Sequence, residues 1–333
     1  MKYIFNLQLF AEMNTNVTTD SGMTAEMRKY YDMALIDEAS ANLVHDQFGQ
    51  KRPIPQGNGK TINFRKFEAL EKATTPITEG VTPNGKKLEA TDLEATVDQY
   101  GDYVTLSDML EMTAIDNVIL EATKVIGRQA GLTLDTITRN KINAGTNVSY
   151  CPKLGADGEE TAVTTRAGLD SSCALTVKAI QKAVAKLRAQ NAPAINGKYV
   201  GIIHPYAAYA LMRDPEWVDA HKYANPTNLY EGEIGEIAGV RFVQSSEAKI
   251  WTEGSNAVFS TLILGADAYG TTEITGGGLQ TVIKQKGSAG TADPLDQRSS
   301  VGWKATKTAE ILMDNYMVRI ESCVADFNTT PAN

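Results

Sequence analysis

Residues 107–145 read SDMLEMTAIDNVILEATKVIGRQAGLTLDTITRNKINAG, and this stretch decides the fold. Its mostly apolar stripe recurs at steps of three and four, the spacing of one helix face: Ile115, Ile119, Ala122, Ile126, Ala130, Thr133 and Ile137. Asp108 and Glu111 are placed as a capping pair at its start. At a rise of ~1.5 Å per residue, this helix is a rod of roughly 50 Å. Such a rod exceeds the core of a compact domain, so the stretch predicts a spine helix in a chain that buries surface in neighbouring copies.

The segment before the spine, residues 60–105, predicts a long hairpin. Ile62, Phe64 and Phe67 suggest one strand, and a returning strand contains Leu93, Ala95, Val97, Gln99, Tyr103 and Thr105. Residues 74–87 between them are rich in turn-forming types, and both strands carry charges. Because an isolated two-stranded ribbon is marginal in water, we expect it to lie on another subunit. A mobile surface flap is the alternative.

The remaining segments predict a mixed α+β chain. Residues 1–52 form a polar arm with one helix, and residues 176–190 form a second amphipathic helix with a basic outer face. Lys198–His204 is a strand, and Pro205 opens a helix that runs to Arg213. Further strands are expected at residues 239–244, 257–264, 279–286, 302–307 and 310–324.

Composition favours a structural role. The formal charge of the 333 residues is −8, which makes the chain a poor candidate for gripping phosphates. No apolar run approaches the ~20 residues of a membrane span. The three cysteines form no metal-ligand pair, and their number favours a reducing, cytoplasmic setting.

No catalytic or metal-binding motif is found. The three histidines show no metal-ligand spacing: His45, His204 and His221. Residues 57–61, Gly-Asn-Gly-Lys-Thr, resemble the end of a phosphate loop, but Ile54 stands where the pattern needs glycine and a strand follows. The sequence therefore predicts a protein that is not an enzyme and has no cofactor.

The order of parts resembles the major capsid proteins of tailed bacteriophages, which have the Hong Kong 97-type fold. Residues 5–11, Phe-Asn-Leu-Gln-Leu-Phe-Ala, are similar to the opening of many prophage coat proteins. Residues 106–148 look like the spine segment of one coat-protein family. The strand–proline–helix step of the axial domain in that family resembles residues 201–214, and the entry to its next strand resembles residues 235–240.

The resemblance implies a division into parts. These are an N-terminal arm (residues 1–52), an extended β-hairpin loop (53–106), a peripheral domain with the spine helix (107–191) and an axial domain (192–275). The strands and C-terminus at 276–333 would complete the peripheral domain.

It also implies hexamers and pentamers of an icosahedral shell, with the extended loop of each subunit on the peripheral domain of the next. Burial of a few apolar groups there, at ~25 cal/mol per Å², would give a few kcal/mol per contact. The hypothetical inter-subunit interface residues are Ile62, Phe64, Lys66, Phe67, Glu68, Glu79, Lys86, Lys87, Val97 and Arg128.

The implied partners are further copies of the chain, a scaffolding protein, a portal and packaged double-stranded DNA that lies adjacent without sequence-specific binding; no membrane is involved. The implied location is the virion capsid, assembled in the bacterial host cytoplasm. Some relatives cross-link lysine to asparagine, and Lys86, Lys87 and Asn84 near the loop tip suggest that option, although a solvated turn is the better interpretation. Two alternatives remain: an encapsulin-like nanocompartment shell, and a soluble α/β enzyme.

Overall fold

The computed structural model describes residues 25–333, apart from residues 41, 56, 58, 68–69, 71, 78, 83, 89, 115–116, 156–158, 225–234 and 289–292. The helices are α1 (Ala25–Ser40), α2 (Asp108–Thr113), α3 (Val118–Ile142), α4 (Val177–Ala189), α5 (Pro205–Met212) and α6 (Pro215–Ala224). The strands are β1 (Gln50–Lys51), β2 (Thr61–Phe67), β3 (Ala90–Thr96), β4 (Asp98–Ser107), β5 (Val148–Tyr150), β6 (Lys153–Leu154), β7 (Glu160–Thr161), β8 (Tyr199–Ile203), β9 (Glu236–Ile237), β10 (Val240–Gln244), β11 (Ile250–Glu253), β12 (Asn256–Leu264), β13 (Tyr269–Thr272), β14 (Gln280–Lys284), β15 (Arg298–Ile311) and β16 (Met317–Cys323).

Two sheets organise the described residues. The first has the order β1-β13-β15-β14, with β4 also paired to β15. The second has the order β5-β16-β12-β8-β10-β9, with β11 paired to β12. Two hairpins, β2-β3 and β6-β7, lie outside these sheets.

The prediction of one uninterrupted spine helix is wrong, because the segment forms two helices. Ala114 is extended, at φ −71° and ψ 139°, and the Asn117 side chain accepts the Leu120 N–H to start α3. The spine is therefore α3 alone, with 25 residues and a length of about 37 Å. The predicted cap is also displaced: the Ser107 hydroxyl accepts the Leu110 N–H, at 3.3 Å.

Helix α3 buries two faces. One carries Ile126 and Ala130 from the predicted stripe, which pack with Val301, Trp303 and Ala305 of β15. The other meets α1 through two glycines, a face that the apolar stripe did not reveal. A Cβ atom on Gly131 would lie 2.9 Å from the Ala39 Cα, so only glycine lets the two backbones come this close.

The predicted returning strand of the hairpin is two strands with different partners. Strand β3 pairs with β2 from Ala90↔Phe67 to Thr96↔Thr61. Strand β4 instead pairs antiparallel with β15, from Asp98↔Lys307 through Ser107↔Arg298. The chain thus leaves the hairpin and enters the sheet that supports α3.

The second sheet encloses the largest apolar core. Predicted helix 176–190 is confirmed as α4, and its Ile180, Val184 and Leu187 pack in the core that also contains Phe259 and Ile320. The expected strand–proline–helix step is confirmed as β8 followed by α5, with Pro205 at the first helical position. The predicted division separated α4 and β16 from residues 192–275, whereas this core joins them.

The described ranges contain neither a membrane-spanning helix nor a metal-binding cluster. No helix in them combines the length and apolarity needed to cross a membrane. No group of three or more His, Cys, Asp or Glu side chains in them is arranged to hold a metal ion.

Candidate assembly surfaces

The base of the hairpin is buried in its own protomer. Phe64 is 3% exposed, and a Cβ atom on Gly270 of β13 would lie 2.9 Å from its ring. Val97, which follows β3, is buried as well, and its N–H donates to the Lys60 carbonyl at 2.8 Å. Phe64 and Val97 are therefore already covered within the protomer, and the expectation that they contact a neighbouring subunit stays a prediction.

The tip of the hairpin has the opposite character. Ile77 is 75% exposed, and Leu70, Val81 and Leu88 are also largely in contact with solvent. None of the described residues between 70 and 88 belongs to a strand. The tip thus presents apolar side chains that the described part of the protomer does not cover.

The predicted interface residues fall on both parts. Ile62 is half-buried opposite Ala95, while Glu79, Lys86 and Lys87 lie on the exposed tip. Lys66 and Phe67 belong to β2, but their side chains lie outside what the structure describes, and Glu68 lies outside the described residues.

A shallow groove runs along the flank of α3 beside β4. We call it the spine groove; its lining residues are Tyr100, Val125, Arg128, Gln129, Leu132, Thr133, Thr136 and Ile137. The helical members recur every three or four positions, so they share one face, turned away from α1. Among the described residues no strand pairs with the outer edge of β4, which therefore leaves the groove open.

Polar contacts fix the walls of the spine groove. The Gln129 side chain donates to Asp102 of β4 at 2.6 Å and accepts the Trp303 indole N–H at 3.4 Å. The hydrogen bond from Gln129 lowers the pKa of Asp102 below its usual range, because it stabilises the ionised carboxylate. A side-chain hydrogen bond thus joins helix α3 to strand β4 at the floor of the spine groove.

Arg128, the only predicted interface residue on the spine, has a partner within the chain. Its Nε and Nη2 atoms donate to one carboxylate oxygen of Glu38 in α1, at 3.0 and 2.7 Å. Its side chain remains largely exposed. The contact orients Arg128 at the rim of the spine groove, where a charged group of another molecule could approach it.

A buried polar cluster, the arm junction, ties the segment after α1 to the spine. The His45 Nδ1 atom lies 2.7 Å from Oδ2 of Asp135, and both side chains are fully buried. The Lys307 ammonium lies 2.5 Å from Asp46, and the Tyr269 hydroxyl donates to the His45 carbonyl. Burial raises the pKa of Tyr269, so this hydroxyl stays a donor. Sequence analysis missed this cluster because its members are far apart along the chain.

A second buried cluster joins the end of the spine to the large core. Glu321 is fully buried and accepts hydrogen bonds from Arg166, at 2.6 and 2.7 Å, and from Arg319, at 2.9 Å. Arg319 also donates to the Asn143 and Gly145 carbonyls beyond α3. The Arg166 guanidinium lies 3.9 Å above the Trp251 ring. The cluster therefore positions the spine against β16.

The cysteines and His204 of the large core are buried. Burial raises the pKa of the Cys151, Cys173 and Cys323 thiols, and that of Cys323 reaches about 12. Thiols in such surroundings are inert, because the thiolate is the reactive form. His204, at the end of β8, is mostly buried and its Nδ1 atom accepts the Tyr206 N–H at 3.1 Å, which caps α5.

Solved structures with this fold come from shells. The capsid of Ralstonia phage GP4 aligns with a TM-score of 0.65 and 13% identity, over 99% of this chain and 100% of that chain. The capsid of the cyanophage P-SCSP1u gives 0.63 and 15%, over 82% and 86%. A virus-like particle from Pyrococcus furiosus gives 0.51 and 9%, over 89% and 99%. These likenesses show that the chain has the Hong Kong 97-type fold, as the resemblance implied.

The family follows from the sequence itself. Residues 90–313 match the model of a family described as phage capsid protein. This match spans most of the chain, from the start of β3 to the turn after β15, so the chain belongs to the phage capsid protein family. It is a structural protein of a capsid. Among curated proteins, none matches this sequence.

Proposed function

We propose that this protein is the major subunit of an icosahedral phage head, built of hexamers and pentamers around packaged double-stranded DNA. Membership of the phage capsid protein family carries the proposal. The exposed hairpin tip supports it, because a protomer that projects uncovered apolar groups on a ribbon is suited to lattice contacts. The protein would act without catalysis, in the virion, after assembly in the host cytoplasm.

In this proposal the hairpin tip of one subunit lies in the spine groove of its neighbour. The tip offers Ile77 and Val81, and the spine groove offers Val125 and Leu132, so apolar surface meets apolar surface. Glu79 of the tip would approach Arg128 at the rim of the groove. Such a pair, exposed to solvent, would set register and orientation more than affinity.

Each tip contact would be weak, and the shell would gain strength by repetition. Burial of one Ile or Val side chain contributes about 1.5–3 kcal/mol. A closed shell engages the tip and the groove of every subunit at once, so weak contacts sum to a stable lattice. A subunit that is added in the wrong place makes few contacts and can dissociate again. Contacts of this size suit assembly guided by a scaffolding protein around a portal.

Negative charge supports the role around DNA. The chain carries a net charge of −8, so phosphates of the genome would not adhere strongly to the inner surface. DNA could then enter and leave through the portal without being held by the wall.

Electron microscopy of the purified chain tests the proposal. Uniform shells or hexamer sheets are expected, and small particles without lattice contacts at high concentration would contradict it. Deletion of residues 70–87 should leave a folded subunit that forms no normal shells, because the base of the hairpin stays anchored by Phe64. Loss of the native circular dichroism spectrum on this deletion would refute the assignment of the tip to assembly.

A shell other than a phage head, such as a nanocompartment, is the second candidate, because a virus-like particle from Pyrococcus furiosus has the same fold. The contents of purified shells separate the two. Double-stranded DNA inside shells formed in infected cells supports the phage head, whereas a co-purified protein cargo without DNA supports the nanocompartment.

A further inference from the structure

Helix α2 exposes apolar side chains and has no buried residue. Met109 is 62% exposed and Met112 is 67% exposed, and Leu110 between them is also in contact with solvent. Leu295, which precedes β15, is 75% exposed. We call these four residues the distal patch. In a folded subunit, a cluster of this kind usually marks a contact surface.

The members of the distal patch are held at one end of the fold. The Asp108 N–H donates to the Gln297 carbonyl at 3.0 Å, which fixes the start of α2 beside the segment that contains Leu295. Glu111 lies 2.8 Å from the Lys286 ammonium and accepts the Ser299 hydroxyl. Helix α2 is therefore anchored through its polar side, and its apolar side is left uncovered by the described residues.

The packing of α1 shows where the preceding chain leaves the fold. Gly127 lies beside Leu35, and Gly131 lies beside Ala39, so α1 and α3 run parallel with a constant offset of 92 residues. Continued along both helices, this offset would bring Ala25, the first residue of α1, near Asn117. Asn117 is four residues beyond the end of α2. Helix α1 thus begins at the end of α3 that adjoins α2 and the distal patch.

The departing chain contains a segment whose composition matches the patch. Residues 3–10 read YIFNLQLF, in which only Asn6 and Gln8 are polar. Residues 11–24 connect this segment to α1, and fourteen residues can span up to about 46 Å. The connection is long enough for the segment to fold back over α2 of the same protomer.

We propose that residues 3–10 cover the distal patch of their own protomer. The departure point of the chain selects this occupant, since a tether beside the patch gives the segment a high effective concentration there. The hairpin tip of a second copy is the competing occupant. The proposal does not depend on shell formation, because it concerns the free subunit.

Methionine oxidation by hydrogen peroxide tests the proposal with an internal control. Met33 of α1 is 64% exposed, which matches Met109 and Met112. In dilute, unassembled full-length subunits, Met109 and Met112 should be oxidised several-fold more slowly than Met33, as read by mass spectrometry of peptides. Equal rates at the three positions would overturn the proposal.

Two variants and a dilution series identify the occupant. Deletion of residues 2–11 should raise the rates at Met109 and Met112 to that at Met33, and the full-length variant L7D/L9D should do the same if the deletion impairs folding. Protection that persists in both variants would show that another part of the chain covers α2, and protection lost on dilution of the natural chain would assign the patch to a second copy. Either result refutes the proposal, and neither bears on whether shells form.

Discussion

Substitutions at the base and at the tip of the hairpin should separate folding from assembly. Phe64→Ala removes a ring that is 3% exposed, and loss of a buried aromatic side chain costs about 3–5 kcal/mol. Ile77→Ser changes a side chain that is 75% exposed in the protomer, so the free energy of unfolding should change by less than about 0.5 kcal/mol. The same change would remove about 2 kcal/mol of apolar burial from each contact in a shell. That loss raises the critical concentration for assembly about thirtyfold.

Urea unfolding of dilute subunits and sedimentation of concentrated ones measure the two effects. Phe64→Ala should lower the unfolding free energy and increase hydrogen exchange in β2 and β3, while Ile77→Ser should affect only the sedimenting fraction. Leu154→Ser, on the β6-β7 hairpin, is the control, because it alters another exposed leucine outside this ribbon. The division into base and tip is refuted if Ile77→Ser destabilises the subunit as much as Phe64→Ala does. It is also refuted if the Ile77→Ser variant forms shells at the same protein concentration as the unsubstituted chain.

Three further substitutions test the packing. Gly131→Ala should destabilise the subunit by about 1–3 kcal/mol, because the added Cβ atom overpacks against Ala39. This cost should exceed the gain of ~1 kcal/mol from the higher helix propensity of alanine. The urea midpoint of the variant measures the net effect, and an increase in the midpoint would contradict the prediction. Glu321→Gln should cost about 3–5 kcal/mol, because Arg166 and Arg319 lose a buried charged partner, and thermal unfolding measures the loss. Burial lowers the pKa of His204, so the unfolded chain takes up the proton first as the pH falls below ~6.5, and stability decreases with acid. His204→Asn keeps a cap for α5 and should therefore show a smaller loss of unfolding free energy between pH 7 and pH 5; an unchanged loss would exclude His204 as its source.

Local signals were sufficient for several elements. Thr176 followed by apolar residues three and four apart predicts α4, and the structure confirms it with a Thr176 cap. Pro205 after an apolar strand predicts the start of α5, because proline lacks an N–H that the first helical turn does not need. In both cases the residues that decide the structure lie within one turn of the boundary.

The interruption of the spine was not predictable from the same signals. Residues 113–117 contain neither glycine nor proline, and the apolar spacing continues through them. Distant residues hold α2, since Glu111 binds Lys286 and the Asp108 N–H binds the Gln297 carbonyl, and such contacts cannot be read from the local sequence. The α1 contact was hidden for a different reason: glycines are weak helix formers, yet Gly127 and Gly131 are the closest points of approach.

The partner strand of β4 was also not predictable from the sequence pattern. Alternation of side chains identifies a strand but not its partner, and the paired residues of β4 and β15 are 191 to 209 positions apart. For the hairpin, too, the sequence pattern does not show which surface each apolar residue contacts. The sequence predicts that the hairpin is the assembly element, but only the packing of Phe64 on Gly270 distinguishes the buried base from the exposed tip.

A hairpin anchored at its base resolves a conflict between solubility and assembly. A ribbon whose apolar groups were all exposed would aggregate before it met the correct partner, since large uncovered patches associate without specificity. Burial of Phe64 and Val97 removes part of that surface and fixes the direction in which the ribbon leaves the protomer. In the proposed docking, the tip of an anchored hairpin would order fewer residues than a hairpin that is free along its whole length. Less conformational entropy would then be lost for each contact formed. The apolar groups that remain at the tip, such as Ile77, are separated by turn residues and charges. In the proposed lattice a single tip would therefore bind weakly, and only many tips and grooves together would bind strongly.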